Sequence, residues 1–94
     1  MRIEWTAIAE QNKSDLIEFI AKSSLAAAMS QLNEIERQTD TLLDYPEIGR
    51  EGRTKGTREL VVNRTSFIVV YKLNNDIQIL RVLHGAQQWP KKLK

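Results

Sequence analysis

The apolar pattern changes period at Pro46, and that switch limits what this chain can fold into. Upstream, Leu25, Ala28, Leu32, Ile35, Thr39 and Leu42 recur in steps of three and four. Such spacing places all six on one stripe of a helix running from Leu25 to about Asp44, and Pro46 ends it. Ala7 to about Lys22 carries Ala9, Leu16, Ile17 and Ile20 on one side of an earlier helix. Thr6 and the Ser23–Ser24 break supply N-caps for the two. Arg2–Trp5 alternates polar and apolar residues over too few positions for a helix and reads as a first strand. Downstream, PEIGREGRTKG (46–56) reads as a loop in which Gly49 and Gly52 permit positive φ. Thr57–Val62, Ser66–Leu73 and Asp76–His84 are then rich in β-branched and aromatic residues, as strands are. Asn63–Thr65 and Asn74–Asn75 provide the turns between them. The order β-α-α-β-β-β predicts an α+β fold, with two N-terminal helices packed on one face of a small antiparallel sheet.

Ninety-four residues suit a single domain spanning 1–94. The chain has no cysteine, which excludes disulfides, thiolate metal clusters and thiol catalysis and fits a reducing compartment. Its longest apolar runs, Leu25–Met29 and Phe67–Tyr71, fall far short of the roughly 20 residues needed to cross a bilayer. The N-terminus lacks the apolar stretch of a signal peptide, so a cytoplasmic location is expected. Charge is unevenly divided. Up to Ile48 there are four basic and nine acidic residues, a balance of −5; from Gly49 onward there are ten basic and three acidic, a balance of +7. Such a split suggests a nucleic-acid or acidic partner for the second half.

Read in order, these segments resemble the RelE/ParE superfamily of toxins from bacterial type II toxin–antitoxin systems. Trp5 followed by a helix resembles the family's start, and PEIGREG its helix-ending loop. GTRELVV, FIVVYKL and ILRVLHGAQQWP resemble its three successive strands and C-terminal signature. The resemblance covers nearly the whole chain and implies one of two activities. RelE-like members are ribosome-dependent endoribonucleases, which must deprotonate a 2′-hydroxyl and stabilise a charged phosphate. ParE-like members poison DNA gyrase. The HGAQQWP ending and the arginine-rich loop are more similar to the ParE side. The central strand FIVVYKL also offers only Lys72, where RelE-like toxins commonly carry several lysines.

The candidate residues follow from chemistry. His84 is the chain's one histidine, and an imidazole suits general acid–base work near neutral pH. In a regular strand His84 shares a face with Val82 and Leu80, while Arg81 lies opposite with Ile79 and Leu83. Arg81 and His84 therefore flank one phosphate only if a bulge intervenes; they are the pair a ribonuclease would use. Arg58 and Glu59 are strand neighbours that point to opposite faces, which favours Arg58 as a contact to a partner or as an internal ion pair. Arg50, Arg53 and Lys55 cluster in the loop, where guanidinium groups suit carboxylate or phosphate recognition. Trp5 reads as structural. Trp89 covers an open end of the core or, tryptophan being enriched at hot spots, serves a target interface. The tail Pro90–Lys94 adds charge. No GxxxxGK[ST] phosphate loop occurs and the acidic residues sit mostly on helix exteriors, so neither metal nor organic cofactor is expected.

The favoured expectation is a ParE-like gyrase inhibitor with no chemistry of its own. Arg50, Arg53, Lys55, Arg58, Arg81 and Trp89 would contact the target or a small, acidic, partly disordered antitoxin. A RelE-like mRNA interferase is the alternative, with the ribosome and its mRNA as target. A non-toxic nucleic-acid-binding domain comes third, since no recognition helix or stacking platform is evident.

Overall fold

The computed structural model describes residues 1–85, Gln87 and Trp89; the Pro90–Lys94 tail lies outside them. Strand β1 (Ile3–Trp5) leads into helix α1 (Ala7–Ala21) and helix α2 (Leu25–Asp40), and a 3₁₀ turn at Thr41–Leu43 closes the helical half. Strands β2 (Arg50–Glu51), β3 (Arg58–Val61), β4 (Phe67–Asn74) and β5 (Asp76–His84) follow. The expected α+β arrangement is present: two helices pack against one sheet. Both N-caps form as the sequence suggests. The Thr6 hydroxyl accepts from the Ala9 N–H at 3.1 Å and the Ser24 hydroxyl from the Ala27 N–H at 3.0 Å.

Four details correct the sequence reading. The sheet is mixed rather than antiparallel: its order is β1-β5-β4-β3-β2, and β1 runs parallel to β5, with Ile3 opposite Ile77 and Trp5 opposite Ile79. Alternation along a strand reports which face is buried and carries no information on the direction of a neighbour. Residues 46–56 are not wholly loop, because Arg50 and Glu51 pair with Glu59 and Arg58 as a short edge strand. The α-helix expected to run to about Asp44 ends at Asp40, so that of its stripe Ala28, Ile35 and Thr39 are buried on α2 and Leu42 is buried in the 3₁₀ turn, while Leu25 at the first turn is exposed. Finally, Gly49 and Gly52 do not use positive φ, a conformation found at Gly56 (85°), Arg64 (69°) and Asn75 (64°). They are required by close approach instead. A Cβ at Gly49 would sit 2.5 Å from the Tyr71 hydroxyl, and one at Gly52 would sit 2.8 Å from the Thr57 carbonyl oxygen.

Strand β4 is buried on both faces. Phe67, Val69 and Tyr71 join Ile35, Leu42, Ile77, Ile79 and Val82 in the main core beneath the helices. Ile68 and Val70 point the other way and form a second cluster with Leu83, against which Trp89 packs. A bulge at Leu80 reconciles β5 with this division: Val70 faces Arg81, whereas Tyr71 faces Ile79. The extra residue keeps Ile79 with the helices while sending Arg81 to the opposite side.

Tyr71 also fixes the loop that leaves the helices. Its hydroxyl donates to the Pro46 carbonyl at 2.8 Å and accepts the Gly49 N–H at 2.9 Å. Burial raises the phenol above its ordinary value of 10.0. A raised folded-state value means that this stability is intact below pH 10 and is lost as pH climbs beyond it. Tyr71→Phe should therefore lower unfolding free energy by about 1–3 kcal/mol, the cost of orphaning buried hydrogen-bonding groups. It should also flatten the alkaline fall in stability; urea titrations at pH 7 and above pH 10 measure both effects.

Candidate functional site

The strand register assembles a row of side chains that the linear sequence keeps apart. Arg50 on β2 faces Glu59 on β3, Glu59 faces Val70 on β4, and Val70 faces Arg81 on β5. Cross-strand partners share a face, so all four lie on the side of the sheet away from the helices. Three strand spacings separate Arg50 from Arg81, or about 14 Å.

Glu59 is the centre of this row, and its side chain is only 2% exposed. Its Oε1 accepts from Arg50 Nε at 3.1 Å and Nη2 at 3.0 Å. Its Oε2 accepts the Arg53 backbone N–H at 2.9 Å and lies 3.7 Å from Arg53 Nε. Both guanidinium groups remain about half exposed. The Arg53 guanidinium lies 3.6 Å from the centroid of the Trp89 ring, a stacked cation–π contact. Trp89 in turn donates its indole N–H to the His84 carbonyl at 3.3 Å, and the Gln87 side chain accepts the His84 N–H at 2.7 Å. The strand end thus folds back over Ile68, Val70 and Leu83, and Trp89 covers apolar surface as one of its two expectations had it.

The loop between β2 and β3 holds the arginines in place. Gly52 N–H donates to the Thr57 carbonyl at 2.8 Å, and the Thr57 hydroxyl donates to the Thr54 carbonyl at 2.6 Å. Lys55 stands exposed at the tip.

The other sequence candidates lie elsewhere. Arg58 pairs with Tyr71 across the sheet and so points to the helical side. There its guanidinium donates to the carbonyls of Glu47 at 3.1 Å and Gly49 at 2.9 Å, tying β3 to the loop. His84 faces Phe67 in an edge-to-face contact, with centroids 6.1 Å apart, also on the helical side. The bulge precedes Arg81, so Arg81 and His84 still project from opposite faces. The arrangement can recognise anions through outward guanidinium edges, but it does not bring an acid–base pair together around one phosphate. Among the described residues no group of three or more histidines and carboxylates is placed to hold a metal ion.

The chain has relatives. A family model described as the ParE toxin of the type II toxin–antitoxin system, parDE, matches residues 3–89. The chain belongs to the ParE toxin family. "Putative toxin Y4kP" of Sinorhizobium fredii is 39% identical over 92 residues, covering 98% of this chain and 96% of its own. "Toxin RelE2" of Caulobacter vibrioides is 30% identical over 86 residues, covering 92% and 97%. In a structure titled as the chromosomal ParDE system from P. aeruginosa, one chain superposes with a TM-score of 0.79. At 23% identity it covers 89% of this chain and 95% of its own, which shows the shared fold. The protein is thus a toxin of a ParDE/RelE-type system, and such a system implies a cognate antitoxin. The matched segment contains every residue of the row and ends at Trp89.

Within the toxin, Arg58 and Lys55 should separate cleanly. Arg58→Ala abandons two carbonyls and should cost about 1–3 kcal/mol of stability. Lys55→Ala, on exposed surface, should stay within about 0.5 kcal/mol of the parent. Urea unfolding of the two variants gives the comparison directly.

Proposed function

We propose that the toxin acts by binding alone, inhibiting DNA gyrase through protein–protein contact in the cytoplasm, and that an acidic antitoxin segment neutralises it. The observation that carries this reading is the placement of its polar groups. Arg81 and His84 project from opposite faces, and the loop arginines converge on an internal carboxylate. General acid–base catalysis needs its groups within hydrogen-bond reach of one reacting centre. Recognition needs only donors on a rigid surface, and Arg50, Arg53 and Arg81 supply these on one face, with Lys55 at its margin. The match to the ParE model favours the same side. The RelE2 relative keeps ribosome-dependent mRNA cleavage, through Arg81 and His84, as the reading to test against.

Purified toxin should block gyrase-dependent supercoiling and leave mRNA on programmed ribosomes intact. Ribosome-dependent cuts at defined sites, with supercoiling unaffected, would establish the interferase instead. His84→Ala should keep toxicity within a few-fold of the parent, since a lost general acid or base costs roughly 10²–10⁴-fold. Arg53→Ala combined with Lys55→Ala should weaken toxicity more than His84→Ala, because Arg50 still holds Glu59 and the fold survives. Growth arrest on induction, read beside melting curves, compares the variants.

Neutralisation should be steered by charge. The +7 half should attract an acidic antitoxin segment that orders on contact. Raising salt from 50 to 500 mM shrinks the screening length from roughly 14 to 4 Å, so the association rate should fall across that range. A flat rate in stopped-flow mixing would show that the charge split plays no part in recognition.

A further inference from the structure

We infer that Glu59 is the positioning residue of the recognition face: its buried carboxylate sets the Arg50 and Arg53 guanidiniums, and Trp89 through Arg53, in the geometry that receives a carboxylate-bearing peptide segment. The inference rests on the proposal that this face binds an acidic partner.

A need for stability does not account for Glu59. Its side chain is 2% exposed while those of both arginines are more than half exposed. Desolvating a carboxylate costs several kcal/mol, and pairing it with half-solvated partners returns little beyond that cost. An apolar residue at this position, beside Val70 and the second apolar cluster, would serve the fold at least as well. Geometry is what the carboxylate provides. Arg50 spends one N–H from Nε and one from Nη2 on Oε1, leaving three of its five donors directed away from Glu59. Arg53 is held at its backbone by Oε2 and at its guanidinium by the Trp89 ring. Neither long side chain then has to be ordered when a ligand arrives, and that ordering costs about 0.5–1.5 kcal/mol for each side chain immobilised at an interface. The outward N–H edges of a planar guanidinium match a carboxylate better than an ammonium does.

A sign test separates positioning from charge. If Glu59 only neutralised its neighbours, removing its charge would leave a more positive face and tighten binding of an anionic peptide. If it positions them, the same change weakens binding.

The measurement uses full-length toxin carrying Trp5→Phe, so that Trp89 is the single indole, with fluorescein-labelled hexaglutamate as probe and hexalysine as control. Glu59→Gln and Glu59→Met should melt at or above the parent temperature. Both should bind hexaglutamate about tenfold more weakly, the scale of one charge-assisted hydrogen bond. Their Trp89 emission should shift to longer wavelength and become more open to acrylamide. Arg53→Lys keeps both the charge and Glu59 while losing the planar stack, so it should reproduce the weakening and the spectral shift even if a Glu59 variant fails to fold. If hexaglutamate binds the parent and is lost on Arg53→Ala, yet binds Glu59→Gln equally or more tightly with Trp89 emission unmoved, the positioning role is overturned and the recognition reading stands. If the parent does not distinguish hexaglutamate from hexalysine, both are overturned.

Discussion

Much of this structure depends on β4 being buried on both faces in a protein whose helices can cover only one. Five consecutive residues, Phe67 to Tyr71, are withdrawn from water. Alternation sends Phe67, Val69 and Tyr71 under α1 and α2 and leaves Ile68 and Val70 on the far side. That far side would be an exposed apolar stripe without Leu83 beside it and Trp89 above it. A sheet face of this kind marks either an interaction surface or a liability. Here the cover is supplied locally, by a residue six positions beyond Leu83, β5's last apolar one, and it is fastened by polar contacts rather than by a third layer. The indole N–H holds the His84 carbonyl and the ring carries the Arg53 guanidinium. The apolar requirement of β4 and the charged character of the β2–β3 loop therefore meet at one side chain.

The same economy governs the basic loop. Six carboxylates lie on α1 and α2, and none of them is buried. The one buried carboxylate among the described residues is Glu59, on the basic side of the molecule. Placing a single negative charge beneath Arg50 and Arg53 limits their mutual repulsion and leaves the net sign of the face positive. Arg58, one residue earlier, is turned to the opposite side and serves the loop carbonyls of Glu47 and Gly49. Four cationic residues between positions 50 and 58 thus divide by strand parity and loop position: two around Glu59, one at the exposed tip, and one inside the fold.

How much of this could be read from the sequence differs with the range of the interaction. The helices, their Thr6 and Ser24 caps and the last three strands are local features, set by period and by single residues, and the sequence displays them, although α2 ends at Asp40 rather than at Pro46. Parallel pairing of β1 with β5 joins residues about 74 positions apart, and no local pattern encodes direction. The bulge at Leu80 is hidden because Ile79, Leu80, Val82 and Leu83 are all apolar, so alternation cannot be counted through them. Glu59 stands next to Arg58 in the sequence, but its partners are Arg50 and Arg53, across a hairpin whose first strand is two residues long. The available signal was the opposite charge of Arg50 and Glu59 on either side of the glycine-bearing turn GRTKG. Two residues of edge strand are too few to announce themselves by propensity.

Seen as chemistry, the site is rich in donors and poor in groups that exchange protons near neutrality. Arginine stays protonated under all ordinary conditions, so Arg50, Arg53 and Arg81 offer fixed charge and directed N–H groups and cannot act as bases. A surface of that kind performs well when its geometry is set before the partner arrives, because ordering costs fall on the free protein and not on the complex. The contacts that set the geometry lie beside the one that covers β4: Arg53 rests on the ring of Trp89, which packs against Ile68, Val70 and Leu83. Trp89 is held on the cluster by its own packing and by its bond to the His84 carbonyl, so the shape of the basic face can change without loss of that cover. A partner that grips Arg53 in its present orientation meets a face already set, and one that needs it elsewhere must offset the lost contacts to Glu59 and Trp89.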